Sequence, residues 1–207
     1  MRTKNILTIV SLLILSIIAI TLYASNKIFL INDRILDVAY SELTKDTKKQ
    51  IDCLAENIYH EARSEPEKGK VAVALVTLNR VEDPRFPKDI CGVVKQKTQG
   101  MCQFSWFCTP VTSNKGSESY QSAKEVAVYV YANYEKLHDI TKGALYYHAD
   151  YVNPGWKLQK TVTIGRHIFY KEGGKNYDGK TKPPVEGRFS FEAFFLPDDG
   201  RDNFNNL

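Results

Sequence analysis

An uncharged apolar run near the start of the chain constrains the fold more than any other feature. Residues 6–24 contain no charged side chain, and only two Thr and two Ser interrupt the apolar positions. A helix of this length extends about 28 Å, close to the thickness of the hydrocarbon core of a bilayer. We therefore predict a signal anchor over residues 1–27, with a transmembrane helix that associates with the membrane through residues 6–24.

The charges before this run predict its orientation. Arg2 and Lys4 precede the run, and basic residues are retained on the cytoplasmic side. The rest of the chain is then extracytoplasmic, in the periplasm or at the cell surface. Cleavage near Ala24, where a weak signal-peptidase pattern lies, is the alternative and gives a secreted protein.

Four cysteines follow the apolar run, at positions Cys53, Cys91, Cys102 and Cys108. An even number of cysteines in an oxidising compartment indicates two disulfides. Three pairings are possible, and the sequence does not select one. A structural zinc site is the alternative, although the chain lacks the Cys-x-x-Cys spacing typical of such sites.

The charge distribution narrows the range of partners. The chain has 28 Lys and Arg against 24 Asp and Glu, and three of the basic residues lie within the first 27 positions, where there is no acid. The remainder is nearly neutral and lacks the basic stripe of a nucleic-acid-binding protein. We expect no nucleic-acid partner and no cofactor, and the oligomeric state stays open.

Helical patterns dominate the first part of the body. Residues 28–50 have apolar positions at helical spacing and are predicted to form a juxtamembrane stalk. An amphipathic helix is expected from residue 51 until Pro66 stops it, and a second runs from there to about Arg80. Together the last two helices form a hairpin.

The second part of the body mixes loop, helix and strand. Residues 82–116 are rich in Pro and Gly and are predicted to be loop, with at most one short helix over 90–95. A helix is expected from Ser117 or Ser119 to about residue 138. Residues 144–149 and 162–170 are β-prone and indicate a two-stranded hairpin. The fold class is therefore α+β, mainly helical.

The predicted domains follow from these patterns. Residues 51–171 form the body of the protein. Residues 172–207 form a flexible linker and tail, because Gly, Pro and Lys dominate up to residue 187. A small strand is expected over residues 188–196, where Phe recurs.

Glu61 is the strongest catalytic candidate. It lies at the end of the first helix of the body, where a cleft can desolvate the carboxyl group and favour its neutral form. Glu65 lies one turn further, and we expect its charge to raise the pKa of Glu61 as well. His60-Glu61 also begins like the zinc motif His-Glu-x-x-His, but Ser64 takes the place of the second His, so no metal site is predicted.

A series of short blocks gives a more specific indication. The first block reads Asn-Ile-Tyr-His-Glu-Ala-Arg-Ser-Glu-Pro and contains Glu61. The blocks occupy residues 57–66, 69–74, 78–81, 86–87, 90–94, 102–106, 141–149, 154–156 and 164–170. In this order they resemble the SleB/CwlJ-type cell wall hydrolases, known from spore-cortex lytic enzymes and bacteriophage lysis proteins. The resemblance covers about residues 52–171.

The resemblance implies a fold similar to lysozyme and the lytic transglycosylases. It also implies an enzyme that cleaves the β-1,4 bond between N-acetylmuramic acid and N-acetylglucosamine in the glycan strands of peptidoglycan. The Glu of the Glu-Ala-Arg motif, here Glu61, is then the general acid. Residues expected to bind substrate are Glu65, Gln103, Phe104, Ser105, Tyr147, His148 and Trp156.

The reaction itself stays open at this point. Water gives a muramidase, whereas capture by the 6-hydroxyl of the sugar gives a lytic transglycosylase. The second route is favoured because the blocks contain no assigned second carboxylate, with Glu65 and Asp150 as the candidates. The alternatives are a membrane-tethered protein that binds peptidoglycan without cleaving it and an amidase of the peptide stem. Both a bacterial envelope enzyme and a phage endolysin fit the sequence.

Overall fold

A computed structural model describes residues 13–23, 40–109 and 111–173 of the chain. Residues 13–23 are helical, with exposed side chains, and lie inside the predicted transmembrane run. Among the described residues, no helix is both long enough and apolar enough to cross a membrane. The rest of the apolar run, the stalk up to residue 39 and the tail from residue 174 lie outside the described residues.

Two helices open the body, as predicted. Helix α1 spans Lys45–Ala62, and the side chain of Thr44 caps it by accepting a hydrogen bond from the backbone N–H of Thr47. Helix α2 spans Glu67–Glu82 and begins directly after Pro66. The start of α1 differs from the prediction, because residues 45–50 belong to the same continuous helix as the residues that follow. The cap at Thr44 and the burial of Thr47 account for the earlier start.

Helix α2 is the central element of the core. Every residue from 69 to 78 is buried, so the helix contacts protein on all sides. Helix α1 packs against it, as do the later helices Ile90–Val94 (α3) and Glu118–Asn133 (α5). Even the buried Lys70 has a partner, because its Nζ donates to Ser122 Oγ of α5 at 2.8 Å.

The segment between α2 and α5 contains more structure than predicted. Helix α3 matches the one short helix expected there. It is followed by a hairpin of strands Lys97–Thr98 (β1) and Met101–Cys102 (β2), and by the short helix Ser105–Cys108 (α4). Helix α5 begins after Ser117, which caps it, and ends at Asn133 rather than near residue 138.

A three-stranded antiparallel sheet replaces the predicted two-stranded hairpin. Its strands are Tyr146–Ala149 (β3), Gln159–Ile164 (β4) and His167–Lys171 (β5), in the order β3-β5-β4. The prediction treated residues 162–170 as one strand and was wrong there. Gly165 has φ +56° and reverses the chain, and a side chain at this position would collide with Glu65.

Two hydrogen bonds join α2 to the start of this sheet. The Asn79 amide donates to the carbonyl of Ala144 at 3.1 Å, and Arg80 Nε donates to the carbonyl of Leu145 at 2.8 Å. Asn79 also donates to Asp139 at 2.9 Å, and the Asp139 carboxylate accepts the backbone N–H of Gly143. These bonds fix where β3 begins relative to the core.

Both expected disulfides are present. Cys53–Cys91 joins α1 to α3, and Cys102–Cys108 closes the short segment that contains α4. All four cysteines are used, so the alternative of a cysteine-bound zinc is wrong. The pairing links cysteines that lie 38 and 6 positions apart in the sequence.

The two disulfides should stabilise the fold unequally. Because a longer closed loop removes more entropy from the unfolded chain, the Cys53→Ala/Cys91→Ala pair should lower the free energy of unfolding by about 4 kcal/mol and the Cys102→Ala/Cys108→Ala pair by about 2 kcal/mol. Denaturant unfolding of the two variants beside the oxidised wild type measures this. Equal losses in the two variants would contradict the prediction.

Candidate active site

Glu61 lies in the last turn of α1, where β3 reaches the end of the helix. The hydroxyl of Tyr147 donates a hydrogen bond to Glu61 Oε2 at 3.1 Å. Burial raises the pKa of Glu61, and the Tyr147 hydrogen bond and the charge of Arg80 oppose this without cancelling it. The carboxyl group therefore keeps its proton to a higher pH than an exposed Glu, as a general acid requires.

Arg80 is a member of the site that sequence reasoning missed. Its side chain is 3% exposed and lies over the rings of Phe86, Phe104 and Tyr146, with the guanidinium carbon 5.2–6.0 Å from their centres. Among the described residues, its Nη1 has no hydrogen-bond partner although it is buried. The sequence did contain a signal for Arg80. A basic residue in a buried helix must be surrounded by groups that stabilise its charge.

Glu65 has a different place from the one predicted. Helix α1 ends at Ala62, so Glu65 lies beyond it and not on the face of Glu61. Glu65 Oε2 accepts the backbone N–H of Arg166 at 3.0 Å, beside Gly165 in the β4–β5 turn. The influences on the pKa of Glu61 are burial, Tyr147 and Arg80, so the expectation that Glu65 raises that pKa is wrong.

Asp150, the other candidate for a second carboxylate, also has a partner. Its Oδ1 lies 3.2 Å from Nη2 of Arg166, in an exposed ion pair that follows β3. Glu65 and Asp150 thus both contact Arg166, one through its backbone and the other through its side chain.

The three predicted residues of the segment 103–105 differ in their exposure. Gln103 and Ser105 are exposed. Phe104 is 4% exposed and packs against Arg80, so its ring belongs to the core beside the site. Trp106 stacks on His60 at 4.4 Å, and its Nε1 donates to Asn57 at 3.2 Å.

His148 and Trp156 lie in an aromatic cluster with Tyr170. The Nδ1 of His148 lies 2.8 Å from the carbonyl of Ala149 and therefore donates to it, which leaves Nε2 to accept from the Tyr170 hydroxyl at 3.0 Å. Trp156 is 43% exposed and meets His148 edge-on at 5.5 Å. Adjacent strand residues point to opposite faces, so the structure brings Tyr147 to Glu61 but directs His148 to this cluster.

A second hydrogen-bonded group, which the sequence analysis did not predict, joins Glu56 and His60 of α1 to Ser113 and Tyr120. Ser113 Oγ is 2.8 Å from His60 Nε2 and donates to Glu56. Glu56 also accepts from the Tyr120 hydroxyl at 3.3 Å. The group ties the loop before α5 to the end of α1.

Within the described residues, no cluster of three or more His, Cys, Asp and Glu is arranged to hold a metal ion.

A family comparison agrees with the motif blocks. The model of the Cell Wall Hydrolase family matches residues 64–170, which is more than half of the chain. The chain belongs to the cell wall hydrolase family. This confirms the family expected from the blocks and, at the level of class, the expectation of an enzyme. The matched residues begin after Glu61, so the role of Glu61 rests on its geometry.

Curated relatives carry a consistent name. The chain is 32% identical over 122 residues to the spore cortex-lytic enzyme of Halalkalibacterium halodurans, covering 58% of this chain and 34% of the relative. It is 30% identical over 130 residues to that of Bacillus subtilis, covering 59% and 38%. The chain thus spans little more than a third of the length of these relatives.

Solved structures were also matched. One is the catalytic domain of the germination-specific lytic transglycosylase SleB from Bacillus anthracis, with 28% identity, 63% of this chain and 98% of that chain covered, and a TM-score of 0.48. Another is the catalytic domain of the Bacillus cereus SleB protein, with 31% identity, 60% and 91% coverage, and a TM-score of 0.45.

Removing the Tyr147 hydroxyl should raise the pKa of Glu61 further. The lost hydrogen bond favours the carboxylate, so the neutral form should persist to higher pH in Tyr147→Phe than in the wild type. Titration of the Glu61 side-chain carboxyl by ¹³C NMR measures this directly. Tyr146→Phe is the matched control, since its hydroxyl bonds Glu172 instead. An unchanged Glu61 titration in Tyr147→Phe would contradict the assignment.

Proposed function

We propose that this protein cleaves the β-1,4 bond between N-acetylmuramic acid and N-acetylglucosamine in peptidoglycan, with Glu61 as the general acid. The observation that carries the proposal is the partly buried Glu61 carboxyl group, with a raised pKa and a hydrogen bond from Tyr147. Membership of the cell wall hydrolase family supports the choice of substrate. The relatives named spore cortex-lytic enzymes support it as well.

The first step is protonation of the bridging oxygen by Glu61. As the proton moves, the bond between C1 of the muramic sugar and this oxygen breaks, and positive charge develops on the sugar ring. Glu61 becomes a carboxylate at the same time. The Tyr147 hydrogen bond and the charge of Arg80 stabilise that carboxylate, whereas burial stabilises the acid before the step. One group is thereby suited to donate a proton and then to accept one.

For the second step we favour capture by the sugar's own 6-hydroxyl. The Glu61 carboxylate takes the hydroxyl proton while the oxygen bonds C1, which gives a 1,6-anhydro-muramic end and restores the acid. A retaining hydrolase would need a second carboxylate about 5 Å from the first. Glu65 and Asp150 contact Arg166 instead, and neither is among the influences on the pKa of Glu61.

The Glu61→Gln variant tests the acid. An amide cannot deliver the proton, so the release of soluble muropeptides from purified peptidoglycan should fall by about 10²- to 10⁴-fold. Glu65→Gln is the matched control and should keep activity within a few-fold, because an amide oxygen still accepts the Arg166 N–H. Mass spectrometry of the products identifies the reaction, and 1,6-anhydro ends are expected.

Other outcomes would change the assignment of Glu61 or of the reaction. Full cleavage by Glu61→Gln would overturn the role of Glu61. Reducing muramic ends would indicate a muramidase, and cleaved peptide stems an amidase. Binding to peptidoglycan without products from the wild type would indicate a non-catalytic binding protein.

Glu61→Gln should also remain folded. The pKa of Glu61 is higher in the folded chain than in the unfolded chain, so ionisation of the buried carboxyl lowers stability as the pH rises through that value. Gln removes this cost, and the variant should be at least as stable as the wild type at neutral pH. Its advantage should disappear below the ordinary pKa of Glu, and thermal unfolding across pH measures it.

We further propose that the enzyme works outside the cytoplasm. The support is the uncharged run over residues 6–24, with Arg2 and Lys4 before it. In a bacterial host, the full chain should fractionate with membranes and its body should be digested by protease added to spheroplasts. A soluble product that begins after Ala24 would indicate cleavage, and protection from the protease would contradict the proposed location.

A further inference from the structure

The side chain of Glu65 passes between two glycines, from the corner that joins α1 to α2 towards the β4–β5 turn. A Cβ atom on Gly69, in the first turn of α2, would lie 2.8 Å from the Cβ of Glu65. A Cβ atom on Gly165, in the β4–β5 turn, would collide with Oε2 of Glu65. The carboxylate therefore reaches the turn only because neither position carries a side chain.

The β4–β5 turn joins the Glu65 carboxylate to the end of β3. Glu65 Oε2 accepts the backbone N–H of Arg166 at 3.0 Å. The carbonyl of Arg166 in turn accepts the backbone N–H of Asp150 at 2.8 Å. Asp150 directly follows Ala149, the last residue of β3. One residue of the turn thus contacts Glu65 through its N–H group and the end of the strand through its carbonyl.

Strand β3 is thereby attached at both ends, with Tyr147 between the two attachments. Helix α2 bonds the carbonyls of residues 144 and 145 before the strand, and Glu65 holds the residue after it through Arg166. The ring of Tyr147 also meets the ring of His167 edge-on at 5.2 Å, and His167 directly follows Arg166. A displacement of the turn would therefore move both the strand that carries Tyr147 and a ring that packs against it.

These contacts form a closed circuit around the candidate acid. The circuit leads from Glu61 along the chain to Glu65, across the β4–β5 turn to β3, and through the Tyr147 hydroxyl back to Glu61 Oε2 at 3.1 Å. Without the Glu65 contact, the strand would keep only its attachment to α2. The hydrogen bond on Glu61 would then depend on a strand that is held at one end.

We infer that Glu65 is a positioning residue for the reaction, which holds the end of β3 through Arg166 and thereby keeps the Tyr147 hydroxyl on Glu61. The inference rests on the proposed function of Glu61. Glu65 acts through the length of its side chain and the oxygen that accepts the Arg166 N–H, and its charge is not required. It does not contact the substrate.

A direct role as a second carboxylate is the alternative for Glu65, and two substitutions separate the roles. Glu65→Gln keeps the length and an acceptor oxygen but removes the charge. Glu65→Asp keeps the charge but is one methylene shorter, so it withdraws the carboxylate from the Arg166 N–H. Positioning requires that Gln works and Asp fails, whereas a direct carboxylate role requires that Gln fails.

The first experiment titrates the Glu61 carboxyl group by ¹³C NMR in the full chain and needs no substrate. The Tyr147 hydrogen bond lowers the pKa of Glu61, so weakening it in Glu65→Asp should raise that pKa, as in Tyr147→Phe. Glu65→Gln should titrate like the wild type. In the Tyr147→Phe background, Glu65→Asp should add no further shift, because both substitutions act on the same hydrogen bond. An unchanged pKa in Glu65→Asp, or a rise that persists in the Tyr147→Phe background, would overturn the inference.

The second experiment measures cleavage of purified peptidoglycan. Because a displacement of about 1 Å near the reacting atoms can cost about 100-fold in rate, the kcat of Glu65→Asp should fall by about 10- to 100-fold. Its KM should change by less than about 3-fold, since Glu65 does not contact the substrate. Glu65→Gln should keep kcat within a few-fold. Glu67→Ala is the matched control, which removes an acid from the first turn of α2 and should behave like the wild type.

The other outcomes are distinct. Loss of kcat in Glu65→Gln would overturn the inference in favour of a direct carboxylate role, whether or not Glu65→Asp folds. A higher KM with unchanged kcat in Glu65→Asp would overturn it in favour of a substrate contact. Absence of cleavage by the wild type would instead refute the proposed function, because the NMR titrations test the position of Tyr147 independently.

Discussion

The burial of α2 on all sides is the constraint on which the rest of this structure depends. Helices α1, α3 and α5 all pack against it, so each is placed relative to the others through one central element. Near its end, Asn79 and Arg80 bond the carbonyls of Ala144 and Leu145 and thereby fix the start of β3. That position brings the Tyr147 hydroxyl to Glu61. The candidate site is thus a consequence of how the core is packed.

The pKa of Glu61 is set by opposing interactions that come from different elements of the fold. Burial at the end of α1 favours the neutral acid, whereas Tyr147 from β3 and Arg80 from α2 favour the carboxylate. A residue that first gives and then takes a proton needs both kinds of environment. Arg80 is itself kept in the core by three aromatic rings and by a backbone carbonyl, so its charge is held in a fixed place.

Sequence patterns predicted the helices well, because helical periodicity and caps are local properties. Pro66 and Ser117 stand where α2 and α5 begin, as predicted, whereas α1 begins after Thr44, six residues before its predicted start. The sheet was predicted less well, since strand pairing depends on distant residues and a single glycine, Gly165, turns one predicted strand into two. The same limit affected Glu65. Its spacing from Glu61 suggested a shared helical face, but the helix ends before Glu65 and the side chain binds the β4–β5 turn.

By itself, the sequence determined the family, through motif blocks that occur in a fixed order along the chain, and the position of Glu61 near a helix end. It also determined that four cysteines were available for two disulfides, but not which ones pair. Only the tertiary structure decided that pairing, the partners of Glu61 and the separation of Tyr147 from His148 on opposite faces of β3. The physical reason is that each depends on contacts between residues far apart in the chain, and the packing around α2 sets those contacts.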